Sequence, residues 1–380
     1  MKKLYWTRAL KLVALVIPLV LLLMIGHTTL AVRGNHNTVR LRGFYEEPEN
    51  SLDVVFIGAS DIFTGFSPVY AYDQFGYTSY MYAINGCPGS LYSYFLNEVL
   101  SRQDPQLIVV EVHGYLHEDD YLEREAPRRY FAESTPWSAN KVKAILNFEG
   151  EKSKLSYFIP FAKYHGEWKN ISEIEENRRY RKEIFGHPTI LKGSTTTLRN
   201  EPLIPDYEVQ NDYSKRDLDE KTYETLMEFI RICKQQDLKN VVFVRFPHPI
   251  KETEDYEKFQ RANTLEQIVT EQGFRFINLE RKVEDIGIDY VKDYYDRDHL
   301  NLVGQKKLTK YLGGLIREEY ITEPREQSAE NKARWDLSVQ YLPLLWEKAK
   351  QCKIDNNLLP IFESPKTMEE LNESYHMGKQ

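Results

Sequence analysis

From Leu12 to Val32 the chain carries no charge, and sixteen of the twenty-one positions are apolar. A helix over that stretch reaches about 30 Å, the thickness of a bilayer core, so it predicts one membrane span. Pro18 is compatible with such a helix, because membrane helices tolerate proline. Past the polar residues 33–50 the pattern changes to short apolar runs. Val54-Val55-Phe56-Ile57 ends at Gly58-Ala59-Ser60, and a second run near Tyr80 to Ile84 ends at Asn85-Gly86-Cys87-Pro88-Gly89. A third, Leu107 to Val112, ends at His113-Gly114. Each reads as a buried strand closing in a turn, and Leu91 to Arg102 has helical spacing.

Residues 118–200 interrupt this rhythm with mixed charge and many aromatics, which reads as an insertion or cap at one end of a sheet. Alternation then resumes: helix from Asp217 to Gln236, strand Val241 to Arg245, helix Tyr256 to Gln272, strand Phe274 to Asn278, helix Leu302 to Tyr320. Strands alternating with helices predict an α/β fold with a central parallel sheet covered on both faces. The expected organisation is a cytoplasmic stub (1–11), a transmembrane helix (12–32), a linker (33–50), a catalytic-type domain (51–322) and a charged tail (323–380). The tail has one helix expected near Trp335 to Lys350.

Composition narrows this picture. The 380 residues are 42% hydrophobic and 28% charged, which excludes both a disordered chain and a polytopic membrane protein. Lys2, Lys3, Arg8 and Lys11 precede the apolar stretch, so the positive-inside rule puts the N-terminus in the cytoplasm and the body outside. A cleaved signal peptide ending near Thr29-Leu30-Ala31 is the rival reading, although the apolar run exceeds a signal core. The net charge is −7; with four positive charges in the stub and none in the span, the body holds −11. An acidic body argues against nucleic acid as a partner. Cys87, Cys233 and Cys352 are too scattered for a disulfide framework or a zinc site. No phosphate-cradling glycine motif follows a strand, and Asp296-x-Asp298-His299 lacks a third well-spaced metal ligand. No cofactor and no metal are therefore expected.

In an open parallel sheet, ligands bind beyond the carboxyl ends of the strands. Ser60, Gly86, His113, Arg245 and His248 fall at such ends, and Asp296 and His299 precede the last helix. A serine hydroxyl needs a base, and a histidine serves when a carboxylate fixes its tautomer. Spacing favours Asp296 over Asp298 for that carboxylate. Backbone amides near Ser60 and in the turn from Gly86 to Gly89 are candidate oxyanion donors. Arg245 and His248 are candidates for holding a substrate anion, with a local acidic partner for Arg245 as the alternative.

The order of these blocks resembles the SGNH/GDSL hydrolase superfamily, over about residues 52–115 and 238–320. Ile57-Gly58-Ala59-Ser60-Asp61 is similar to its nucleophile block. Ile84-Asn85-Gly86-Cys87-Pro88-Gly89 is similar to its glycine block, one residue shorter, and Asp296 to His299 matches its Asp-x-x-His block. The resemblance implies a flavodoxin-like three-layer sandwich and a Ser60-His299-Asp296 triad, with Ser60, Gly86 and Gly89 around the oxyanion. Where the family carries Gly-x-Asn-Asp, this chain has Val112-His113-Gly114-Tyr115. Asn85, His113 and Tyr115 are the candidates to replace the missing donor. Together with the anchor, the resemblance implies an extracytoplasmic esterase or O-acyltransferase acting on a cell-envelope glycan or polyol polymer, beside a multispanning membrane acyltransferase. A catalytically inactive binding or scaffold protein of envelope assembly is the alternative.

Overall fold

Five strands rich in β-branched and aromatic residues form one sheet: β1 (Val54–Gly58), β2 (Ser79–Ala83), β3 (Leu107–Glu111), β4 (Val241–Arg245) and β5 (Arg275–Asn278). They are seen in a computed structural model that describes residues 2–26, 36–150, 154–170, 172, 174–175 and 189–354. The order is β2-β1-β3-β4-β5, with every neighbouring pair parallel. That is the doubly wound order whose switch point lies between β1 and β3.

Alternate residues along each strand feed two separate cores, because successive side chains point to opposite faces. On one face Val55, Ile57, Val110 and Phe243 pack with α2 (His36–Tyr45), α5 (Tyr92–Leu100), α8 (Glu220–Gln235) and α9 (Thr253–Glu271). On the other, Val54, Phe56, Val109 and Val244 pack with α3 (Ser60–Gly65), α4 (Pro68–Phe75) and α10 (Leu302–Glu319). The 118–200 stretch contributes α6 (Glu125–Ser134) and α7 (Ala139–Asn147), which set Phe131, Ala144 and Ile145 into the first core.

Two regions differ from the sequence expectation. The 33–50 stretch, expected as a linker, contains α2, in which Leu41 and Phe44 join the core and Arg40 is fully buried. The 323–380 stretch holds the helix expected near Trp335 to Lys350 as α11 (Ala329–Ile354), but that helix is packed on the body: it buries Trp335 against Tyr72 of α4 with ring centroids 4.8 Å apart. Lys192 lies 4.6 Å above the Trp335 ring and pairs with the buried Glu47 at 2.9 Å. The reason is physical: buried polar groups that find partners break the apolar periodicity from which elements are read.

At the start of the chain α1 covers Lys2–Gly26 and exposes Leu12, Leu15, Leu19 and Leu22. Its charge-free part, Leu12 to Gly26, is only about 22 Å long. Among the described residues no helix is long and apolar enough to cross a membrane. The expected span continues to Val32, and its residues from 27 onward lie outside the described ones.

Candidate active site

Ser60 opens α3 directly after β1, with Gly58 and Ala59 as the turn. A Cβ on Gly58 would come within 2.5 Å of Ile62 and 2.8 Å of Glu111 Cβ, so only glycine lets β1 run this close to α3 and β3. Ser60 is half-buried, and its carbonyl accepts a hydrogen bond from Thr64 Oγ1 at 2.9 Å.

The Asp-x-x-His block is held by the start of α10. Asn301 caps that helix, accepting from the Val303 and Gly304 amides, and donates through Nδ2 to Lys292 O at 2.7 Å. Leu300 is buried in the core beside Tyr294. Upstream of this anchor, Asp296 Oδ1 accepts from the Asp298 and His299 amides and lies 2.9 Å from His299 Nδ1. The tautomer is thereby set: Nδ1 carries the proton toward Asp296, and Nε2 is free to act as a base. That Nε2 is buried and has no hydrogen-bond partner. Burial opposes the imidazolium, but Asp296, with help from Asp61, raises His299 above its ordinary pKa. Asp296 in turn is held low by His299 against its own burial. Tyr295 stacks on His299 with 12° between ring planes.

The same elements bring this loop to Ser60's helix. Gln305 of α10 donates to Phe63 O in α3, and Thr309 Oγ1 accepts from the Ser67 amide at 2.9 Å. Ser60 lies at the carboxyl end of β1, and the Asp296–His299 loop leads into the helix tied to α3, with no hydrogen bond joining His299 Nε2 to Ser60.

The glycine turn after β2 sorts the expected oxyanion donors. Gly86 sits at φ +55°, a left-handed backbone that favours glycine, and is half-exposed at the edge. Gly89 is buried: a Cβ there would meet the Tyr115 ring at 2.3 Å. Gly114 reciprocates, its added Cβ reaching Cys87 O at 2.6 Å, so the turns after β2 and β3 interlock. This placement takes Tyr115 out of the donor set, because its ring is fully buried against Tyr92 and its hydroxyl has no partner. Asn85 is exposed, and its amide donates to Asn37 Oδ1 of α2 at 2.8 Å.

His113, Arg245 and His248 converge on a residue that the sequence reading passed over. Asp61, buried at 3% exposure, has Oδ2 within 3.1 Å of both His113 Nδ1 and His248 Nε2, and 3.9 Å from Arg245 Nη1. Burial pushes the Asp61 carboxyl up, but the two histidines outweigh it and hold it well below the usual range. His248 is pushed up to about 10 by Asp61, against burial and Arg245. His113 is lowered by its burial. Glu111, at the end of β3, is raised well above the carboxylate range by burial and by the Asp61 charge. Arg245 spends its guanidinium on Glu280, with Nε donating to Oε1 at 2.9 Å, so the internal pairing holds and it is not open to a substrate anion.

Arg40 of α2 is a further buried charge that the linker reading concealed. Its guanidinium lies 3.4 Å from the Phe63 ring centroid and donates to Gly193 O. Burial lowers it to about 9. The signal for Asp61 was available: like Ser60, it follows a parallel strand at its carboxyl end. No family model matches this chain, and no curated protein matches it either.

Proposed function

We propose that the chain is a serine esterase or O-acyltransferase with an SGNH-like site on a flavodoxin-like three-layer sandwich. The observation that carries this reading is the Asp296–His299 pair, whose free Nε2 is buried in a loop fastened to the helix that begins with Ser60. In the proposed reaction Ser60 Oγ attacks an acyl carbonyl while His299 Nε2 takes its proton. The negative charge passes to the carbonyl oxygen, where the Ser60 and Gly86 amides donate. Collapse expels the leaving alcohol with the proton from His299, and the acyl group stays on Ser60 as an ester. A hydroxyl of a polymer, or water, then attacks that ester as His299 takes its proton, and Ser60 is regenerated.

The substrate reading rests on topology. A basic N-terminal stub, an apolar stretch and an acidic body suit an anchored protein facing a cell-envelope glycan or polyol polymer, with a multispanning acyltransferase as acyl source. Exposed Trp137, stacked on Phe158 with 11° between planes, offers a platform of the kind that sugars cover. The test is the intact mass of the full chain after incubation with activated acetyl and alanyl esters. An adduct on Ser60 that is lost in Ser60→Ala supports the reading and names the acyl group. No adduct from either donor favours a binding or scaffold protein.

A further inference from the structure

We propose that Asp61, His113 and His248 form a binding site for a divalent first-row transition-metal ion beside Ser60. Among the described residues these three offer one ligand atom each, all within 4.8 Å of one another. Asp61 Oδ2 stands 3.1 Å from each imidazole nitrogen. Ligands bound at about 2.0–2.2 Å in tetrahedral or octahedral arrangement stand roughly 3.0–3.5 Å apart, so the two carboxylate–imidazole spacings suit a shared ion.

The contacts themselves are not aligned as hydrogen bonds. Asp61 Oδ1 and Oδ2, His113 Nδ1 and His248 Nε2 are all buried atoms without a hydrogen-bond partner. In the metal-free chain Asp61 Oδ2 is met at 3.1 Å only by the charge of the two imidazoles, and a cation between them satisfies the same three ligand atoms directly. The opposite ring nitrogens are already engaged, as metal-bound histidines require. His248 Nδ1 lies 2.8 Å from Phe246 O, to which it donates, so Nε2 is the nitrogen whose proton an incoming ion displaces. His113 Nε2 pairs with His117 Nε2 at 2.9 Å, so His117 can accept its proton while Nδ1 faces inward.

Two imidazoles with one carboxylate suit zinc, iron, cobalt or manganese rather than calcium or magnesium, which prefer all-oxygen shells. Three protein ligands leave open positions for water or for an anionic oxygen of a substrate. The inference does not rest on Ser60 being a nucleophile, and its test reads the metal rather than acyl transfer.

The full chain is stripped with chelator, dialysed against Zn2+ and against Co2+, and its metal content measured. About one ion per chain is expected, and the Co2+ form should show a visible d–d absorption band of nitrogen and oxygen ligation. Asp61→Asn and His248→Gln should each lower Zn2+ retention more than about tenfold, while His299→Gln leaves it unchanged. The unaltered protein alone decides the main point, whatever the variants do to folding. Absence of stoichiometric Zn2+ and of the Co2+ band overturns the site, as does retention that persists in folded Asp61→Asn and His248→Gln.

Discussion

In the proposed reaction, the charge on His299 sets when Ser60 can lose its proton. Asp296 raises that imidazole above its ordinary pKa, so the basic, neutral form is reached only above about pH 6.5. The acid limb of the pH profile of kcat/KM, or of Ser60 modification, should therefore lie above that value. In Asp296→Asn the limb should move down, and the rate at its plateau should fall by as much as about 10⁴-fold, because the tautomer is no longer held. An unmoved limb would show that another group is titrating. The sign for stability is opposite in sense: a raised histidine pKa adds stability below its unfolded value, and this is lost as pH rises through the folded one. Tyr115 gives a second residue-scale outcome. Its hydroxyl is buried without a partner, so Tyr115→Phe should raise stability by about 1 kcal/mol and leave catalysis intact. A loss of about 100-fold or more in rate, with folding preserved, would instead make Tyr115 an oxyanion donor.

At the scale of elements, the strands were legible as short apolar runs buried on both faces, and the helices around them by their 3.6-residue spacing. Val241 to Arg245 and the start of the last sheet-covering helix at Leu302 lie where the pattern places them. Asp296 and His299 were legible for the same reason, since one loop sets their spacing. The element that was missed buries polar groups: α2 hides Asn37, Thr38 and Arg40, and so shows no apolar face in sequence. α11 was legible as a helix, and Trp335, Ser338, Tyr341 and Leu345 are all buried along it, but charged neighbours dilute that face and hid its packing on the core. Asp61 was missed because its partners, His113 and His248, lie 52 and 187 positions away and only the sheet order brings them together. If α11 belongs to the core, Trp335→Ala should cost about 3–5 kcal/mol, read as a lower urea midpoint at unchanged slope. A midpoint equal to that of the unaltered chain would make α11 a loosely attached tail.

At the scale of the whole molecule, a doubly wound sheet sets Ser60, the His299 loop and the Asp61 cluster along one edge, and in the proposed reading the basic stub and apolar stretch anchor this body at a membrane. The full chain should stay with membranes through an alkaline carbonate wash, and a chain lacking residues 1–32 should be released. Release of the full chain would remove the anchor. The nucleophile claim is tested most directly by a fluorophosphonate probe on the folded full chain, with the labelled peptide located by mass spectrometry. The expected result is one adduct, on Ser60, absent in Ser60→Ala and reduced by at least about 10³-fold in rate in His299→Gln. No labelling of Ser60, under conditions in which a serine esterase labels fully, would contradict it.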